Sequence, residues 1–170
     1  LDELRYGRLM VMTDADHDGS HIKGLLLNMV ETFWPSLIGL GFMVSLVTPI
    51  IRATKGSSQI ESFYTDAAYR QWYEVEGGRP GWKIKYYKGL GTSTSKEFKE
   101  YFKEKRIVNF ELQDNDKDLI DKIFNKTKAD ERKEWLGTYD RNEHVDVNSK
   151  NITYQDFINK ELIHFSKYDC

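Results

Sequence analysis

The stretch Thr13-Asp14-Ala15-Asp16-His17-Asp18-Gly19 sets three carboxylates at alternate positions in one short loop, directly after the apolar run Leu9-Met10-Val11-Met12. An apolar run without polar alternation reads as a strand buried on both faces, as in a parallel sheet. After the loop, Ile22, Leu25, Leu26, Met29, Val30, Phe33 and Leu37 recur at helical spacing, with Ser20 as the expected N-cap. Strand, tight loop and helix make half of a βαβ unit, and open α/β sheets bind ligands where such strands end. Three negative charges there repel one another, and an oxygen-seeking Mg²⁺ or Ca²⁺ would neutralise them. A solvated acidic turn is the other reading of this pattern. A calcium-binding EF-hand is excluded, because its twelfth loop position needs a bidentate Glu and counting from Asp14 reaches Leu25. Mg²⁺ works with few protein carboxylates plus substrate phosphates, so the loop points to phosphoryl chemistry.

The rest of the chain fits one α/β domain with a short piece of a second, which suits 170 residues. Residues 42–51 return as extended structure broken at Pro49, and 60–64 form a second short strand. A helix over 66–73, a strand over 82–87, a strand over 107–112 and amphipathic helices over 116–124 and 130–136 follow. Thr94 and Glu97 make a capping box for a helix through Phe98, Tyr101 and Phe102, and Thr153 caps a last helix. With 25 Lys and Arg against 27 Asp and Glu, no overall basic character advertises nucleic acid, so any DNA contact must be local. The apolar stretches are too short to span a bilayer. The single Cys170 can form no internal disulfide and suits a reducing compartment. The opening at Leu1 without Met reads as a segment of something longer.

Two basic sites carry competing readings. Lys88-Gly89-Leu90-Gly91-Thr92 offers a lysine and bare amides ahead of a helix, which suits a phosphate and equally a plain strand-to-helix turn. Arg132 and Lys133 follow two acids on a helix, the pattern of an exposed salt-bridged face. Trp34, Trp72, Trp82 and Trp135 sit in amphipathic patterns and read as core.

The run from Leu4 to Leu25, with Thr13-Asp14-Ala15-Asp16-His17-Asp18-Gly19-Ser20-His21 at its centre, resembles the metal-binding half of the TOPRIM domain of eukaryotic-type type IIA DNA topoisomerases. Trp34-Pro35-Ser36-Leu37, Thr48-Pro49-Ile50, Tyr86 to Ser93, Asp130 to Leu136 and Asp156 to Leu162 resemble further family segments, in family order. The bacterial branch matches less well around Lys88 to Ser93 and at Arg132, which favours a eukaryote or a large DNA virus.

The resemblance implies an α/β, Rossmann-like TOPRIM fold with a parallel central sheet, followed by a helical connector. It implies residues 1–137 as the TOPRIM domain lacking its first motif, 138–151 as a linker and 152–170 as the first helix of the winged-helix DNA-cleavage domain. The implied parent is an ATP-dependent, homodimeric enzyme that cleaves, passes and religates double-stranded DNA in the nucleus or at a viral replication site, with no membrane association. Two Mg²⁺ ions, replaceable by Mn²⁺ or Ca²⁺, would be held by Asp14, bridging both, and Asp16, with Asp18 supporting. A third carboxylate from an earlier Glu, the nucleophilic Tyr and the ATP site are expected outside this chain, and the isolated segment should be inactive. Lys88, Arg132 and Lys133 would contact the DNA backbone, while His17 and His21 are not expected to ligate metal. The alternatives are a non-enzymatic Mg²⁺- or DNA-binding TOPRIM module and a TOPRIM nuclease or primase.

Overall fold

A computed structural model describes residues 3–113 and 115–169. The expected start inside a longer protein, at Leu1, and the thiol of Cys170 lie outside the described residues. In chain order the first elements are β1 (Leu9–Val11), α1 (His17–Phe33), α2 (Pro35–Gly39), β2 (Met43–Leu46), β3 (Ile51–Lys55), β4 (Gln59–Phe63) and α3 (Asp66–Trp72). There follow β5 (Trp82–Tyr86), α4 (Ser95–Glu104), β6 (Ile107–Glu111), α5 (Asp116–Phe124), α6 (Ala129–Gly137), β7 (Asn151–Thr153), α7 (Tyr154–Phe157) and α8 (Ile163–Asp169). A π-helical turn, Ile158–Leu162, joins α7 to α8. By packing, the chain divides into a larger unit, Leu1–Thr13 with His17–Leu46 and Ile107–Cys170, and a smaller one, Asp14–Asp16 with Val47–Arg106.

The larger unit has the expected α/β architecture, on a sheet of order β1-β2-β6-β7. This sheet is mixed rather than wholly parallel: β1 and β2 run parallel, as do β6 and β7, while β2 and β6 are antiparallel. The reason lies in the chain path. Leu46 at the end of β2 faces Ile107 at the start of β6, and just beyond them the Val47 N–H donates to the Arg106 carbonyl at 2.9 Å. The sixty residues of Val47–Arg106 are thus an insertion between two strands of a hairpin, and a hairpin returns antiparallel. Position in the sheet also decides burial. All four residues of β2 are buried between neighbours on both sides, whereas Leu9 on the edge strand β1 is 38% exposed. The strand buried on both faces is therefore β2, and not the Leu9–Val11 strand for which the sequence led us to expect it.

Helix α1 begins at His17, three residues before the expected cap. Ser20 is a buried residue within it, and its hydroxyl donates to Glu161 at 2.8 Å instead of capping. Lys23 is ion-paired to the same carboxylate. Gly24 lets the helix approach closely here, since a Cβ would meet Phe124 at 3.1 Å and Leu162 at 3.2 Å. His21 stacks on Phe165 with ring centroids 4.1 Å apart. The first turns of α1 are in this way tied to the helical run Tyr154–Asp169, which starts as expected from the Thr153 side chain accepting from the Asp156 N–H.

The smaller unit is built on an antiparallel sheet of order β4-β3-β5. The extended run expected over 42–51 is split at Val47–Pro49, so that β2 and β3 serve different sheets. Ile51, Ala53, Phe63 and Tyr69 form its core, with Trp72, Trp82 and Ile84 packed against them. Trp135 is buried in the larger unit, but Trp34, at 52% exposure, departs from the core reading of the tryptophans because it precedes the short α2 at the surface.

The other face of this sheet carries a half-dry charge cluster that the sequence did not announce. The capping box of Thr94 and Glu97 forms as expected. Glu97 additionally accepts from Lys85 Nζ at 2.8 Å and the Tyr87 hydroxyl at 2.6 Å, with Arg52 3.7 Å away. Burial by itself would raise the Glu97 carboxyl, but the hydrogen bonds from Lys85, Thr94 and Tyr87 outweigh it and bring it down from 4.5 to about 2. A lowered carboxylate value means stability that is present above the unfolded value near 4.5 and lost as pH falls towards 2. We expect the chain to lose about 2–3 kcal/mol over that window, at ~1.4 kcal/mol per unit reduced for solvent screening. Acid titration followed by tryptophan fluorescence checks this: Glu97→Gln should be less stable at neutral pH and flatter between pH 4.5 and 2, and parallel curves would refute the assignment.

Candidate metal and nucleic-acid site

The acidic loop follows β1, and Asp14–Asp16 pack with the smaller unit. Asp14 is half-buried, and its Oδ1 accepts the Leu90 N–H at 2.6 Å. That bond requires Gly89. Its backbone sits at φ +153, a conformation side chains avoid, and a Cβ there would lie 2.5 Å from Asp14 Oδ2. A bare backbone at residue 89 is what allows the carboxylate to lie against the loop. The loop is closed by Thr92, whose N–H and hydroxyl both donate to the Gly89 carbonyl, at 3.1 and 2.7 Å. Of the bare amides expected to face a phosphate, the one at Leu90 is thus engaged by Asp14, and the glycine sequence serves the acidic loop first.

Asp16 and Asp18 are exposed, Asp18 lying in the first turn of α1. Among the described residues no three His, Cys, Asp or Glu side chains converge as a metal-holding group. The donors of the loop nevertheless fit a hard cation in kind, being carboxylate oxygens, and Mg²⁺ characteristically uses one or two protein carboxylates. His17 is exposed, with its ring 5.5 Å from that of Tyr168, and His164 is buried between Tyr139, which it meets at 3.3 Å, and the Glu143 carbonyl at 2.8 Å. Their aromatic contacts give both histidines packing roles.

The basic residues divide. Lys88 is exposed. Lys133 is exposed and pairs with Asp130 at 3.1 Å, the salt-bridged arrangement that its spacing allows. Arg132 is half-buried and donates to the Asn125 carbonyl and, at 3.5 Å, to that of Ile123, so its charge sits on the C-terminal end of α5. Such a bond satisfies carbonyls that the helix leaves open and complements its dipole. Arg132→Ala should therefore destabilise the chain by about 1–3 kcal/mol, and Lys133→Ala by less than ~0.5 kcal/mol. Thermal denaturation of the two variants separates these outcomes; equal effects would remove the helix-end role.

The family model described as the C-terminal associated domain of TOPRIM matches residues 46–170. DNA topoisomerase 2 of Plasmodium falciparum is 52% identical over 170 residues, covering 98% of this chain and 12% of that protein. DNA topoisomerase 2 of Saccharomyces cerevisiae is 50% identical over 172 residues, again covering 98% of this chain and 12% of the relative. The crystal structure of the P. falciparum topoisomerase II DNA-binding, cleavage and re-ligation domain superposes with a TM-score of 0.90 at 51% identity, over 98% of this chain and 23% of that one. The chain belongs to the eukaryotic-type DNA topoisomerase II family. It spans about an eighth of the length of the curated relatives it matches. A TOPRIM-type α/β fold is accordingly what the topoisomerase II segment forms, and no helix among the described residues is long and apolar enough to cross a membrane.

Proposed function

We propose that this chain is the metal- and DNA-handling segment of an ATP-dependent type IIA topoisomerase, a nuclear or viral homodimer that cleaves, passes and religates double-stranded DNA, with ATP bound outside the segment. Residues 1–137 then act as the TOPRIM domain, 138–151 as the linker and 152–170 as the first helix of the DNA-cleavage domain. Asp14 and Asp16 hold Mg²⁺, for which Mn²⁺ or Ca²⁺ can substitute, and Asp18 supports them. The observation that carries this reading is the Asp14 carboxylate, held by the Leu90 N–H against a glycine that no other residue can replace without displacing it. A carboxylate fixed in this way is oriented before any ligand arrives, which lowers the cost of assembling a site. When bound, the metal would supply Lewis-acid stabilisation of charge on the scissile phosphate. Lys88, Lys133 and Arg132 add phosphate-backbone contacts, Arg132 also through the end of α5 that it secures. The test is DNA cleavage by the full-length parent titrated with Mg²⁺. Cleavage that is independent of both Mg²⁺ and Asp14 would refute the reading.

A further inference from the structure

The smaller unit gathers the positive charge of the chain. Residues 47–106 hold 12 of its 25 Lys and Arg but only 7 of its 27 Asp and Glu. Helix α4 shows how this charge is displayed. Two of its three acids turn inward: Glu97 takes Lys85 and Tyr87, and Glu100 accepts from Arg52 at 2.6 Å, while Glu104 is exposed and accepts from the Tyr64 hydroxyl at 3.5 Å. Its lysines do not. Lys96, Lys99 and Lys103 are exposed and, at i, i+3 and i+7, share one face. None of them enters an ion pair among the described residues, because the Glu100 that could neutralise Lys96 from one turn away is engaged by Arg52. Lys99 and Lys103 also repel each other at i,i+4.

The helix ends on a second oddity. Lys105 closes it in the left-handed conformation at φ 46, with its N–H bonded to the Tyr101 carbonyl at 2.8 Å. Glycine adopts that conformation without strain, and the attraction of a cation to the helix C-terminus recovers only part of the cost of a side chain. A strained, exposed lysine beside three unpaired ones suggests that the side chain is kept for what it binds.

We infer that α4 and Lys105 form a ridge that binds the phosphate backbone of double-stranded DNA, additional to Lys88, Arg132 and Lys133. Lys96 to Lys103 span about 10 Å of helix, the axial length of about three phosphates of one strand. The inference rests on the DNA reading proposed above, and the experiment tells the two apart. Binding of a fluorescent duplex by the full-length parent is measured by anisotropy in EDTA, from 50 to 200 mM salt, conditions that leave cleavage out. Replacing Lys96, Lys99 and Lys103 by Gln should flatten the salt dependence, so that the wild type loses ~40-fold more affinity than the variant across the range, at ~0.9 log units of slope per phosphate contact. Replacing the same three by Arg should preserve the slope. Lys105→Gly should raise the thermal midpoint yet weaken binding several-fold at 50 mM salt, a combination that a purely structural lysine would not produce. An unchanged slope in the Gln variant, while Lys88→Ala with Lys133→Ala flattens it, would overturn the ridge and leave the DNA reading standing. Salt-independent or absent duplex binding by the wild type would overturn both.

Discussion

Gly89→Ala is expected to destabilise the chain by about 3 kcal/mol, from a strained φ together with the loss of a charge-assisted hydrogen bond, and to cut DNA cleavage by the full-length parent by ~10²-fold or more. The methyl group would lie 2.5 Å from Asp14 Oδ2, so the carboxylate must swing off the Leu90 N–H that orients it. The Asp14 charge itself is untouched. The variant therefore asks whether the position of this carboxylate matters apart from its presence. Urea denaturation gives the stability term and Mg²⁺-titrated plasmid cleavage by the parent gives the functional one. Full activity in Gly89→Ala would show that the Leu90 contact is incidental to the site. Gly91 makes a suitable control, since nothing lies within 4 Å of a Cβ built there.

Asp14→Asn asks the complementary question. An asparagine Oδ1 can still accept the Leu90 N–H, so loop geometry should survive while the negative charge is lost. Cleavage by the parent should fall by ~10³-fold or more, the size of several kcal/mol of charge stabilisation. Asp16→Asn should cost less and recover further as Mg²⁺ is raised, because DNA phosphates can keep part of the coordination. Asp18→Asn should be mildest, at ~10–100-fold. All three should fold, since removing one of several like charges relieves repulsion. Equal losses that Mg²⁺ does not relieve would sink the division of roles, and wild-type cleavage by Asp14→Asn would sink the metal site.

Much of the local structure could be read directly, because it depends on neighbours in sequence. The helix at Asp116–Phe124, the Thr94–Glu97 capping box and the Thr153 cap need only residues within one turn of one another. The acidic loop after β1 was equally visible, since three carboxylates at alternate positions say what they need whatever surrounds them. What the local pattern could not supply was partnership across the chain. Leu9-Met10-Val11 has the apolarity of an inner strand but lies at a sheet edge, because sheet order depends on which distant strand pairs with which. The antiparallel junction of β2 and β6 follows from an insertion whose two ends meet at Val47 and Arg106. Ser20 has the chemistry of a cap, and Glu161, far along the chain, takes its hydroxyl instead. The sequence alone determined that Asp14, Asp16 and Asp18 follow a strand at alternate positions. It took the fold to show that Gly89 and Leu90 hold Asp14, that Arg132 secures a helix end and that Glu97 and Glu100 of α4 turn inward and leave its lysines bare, because each of these bonds joins residues that the chain brings together only when it folds.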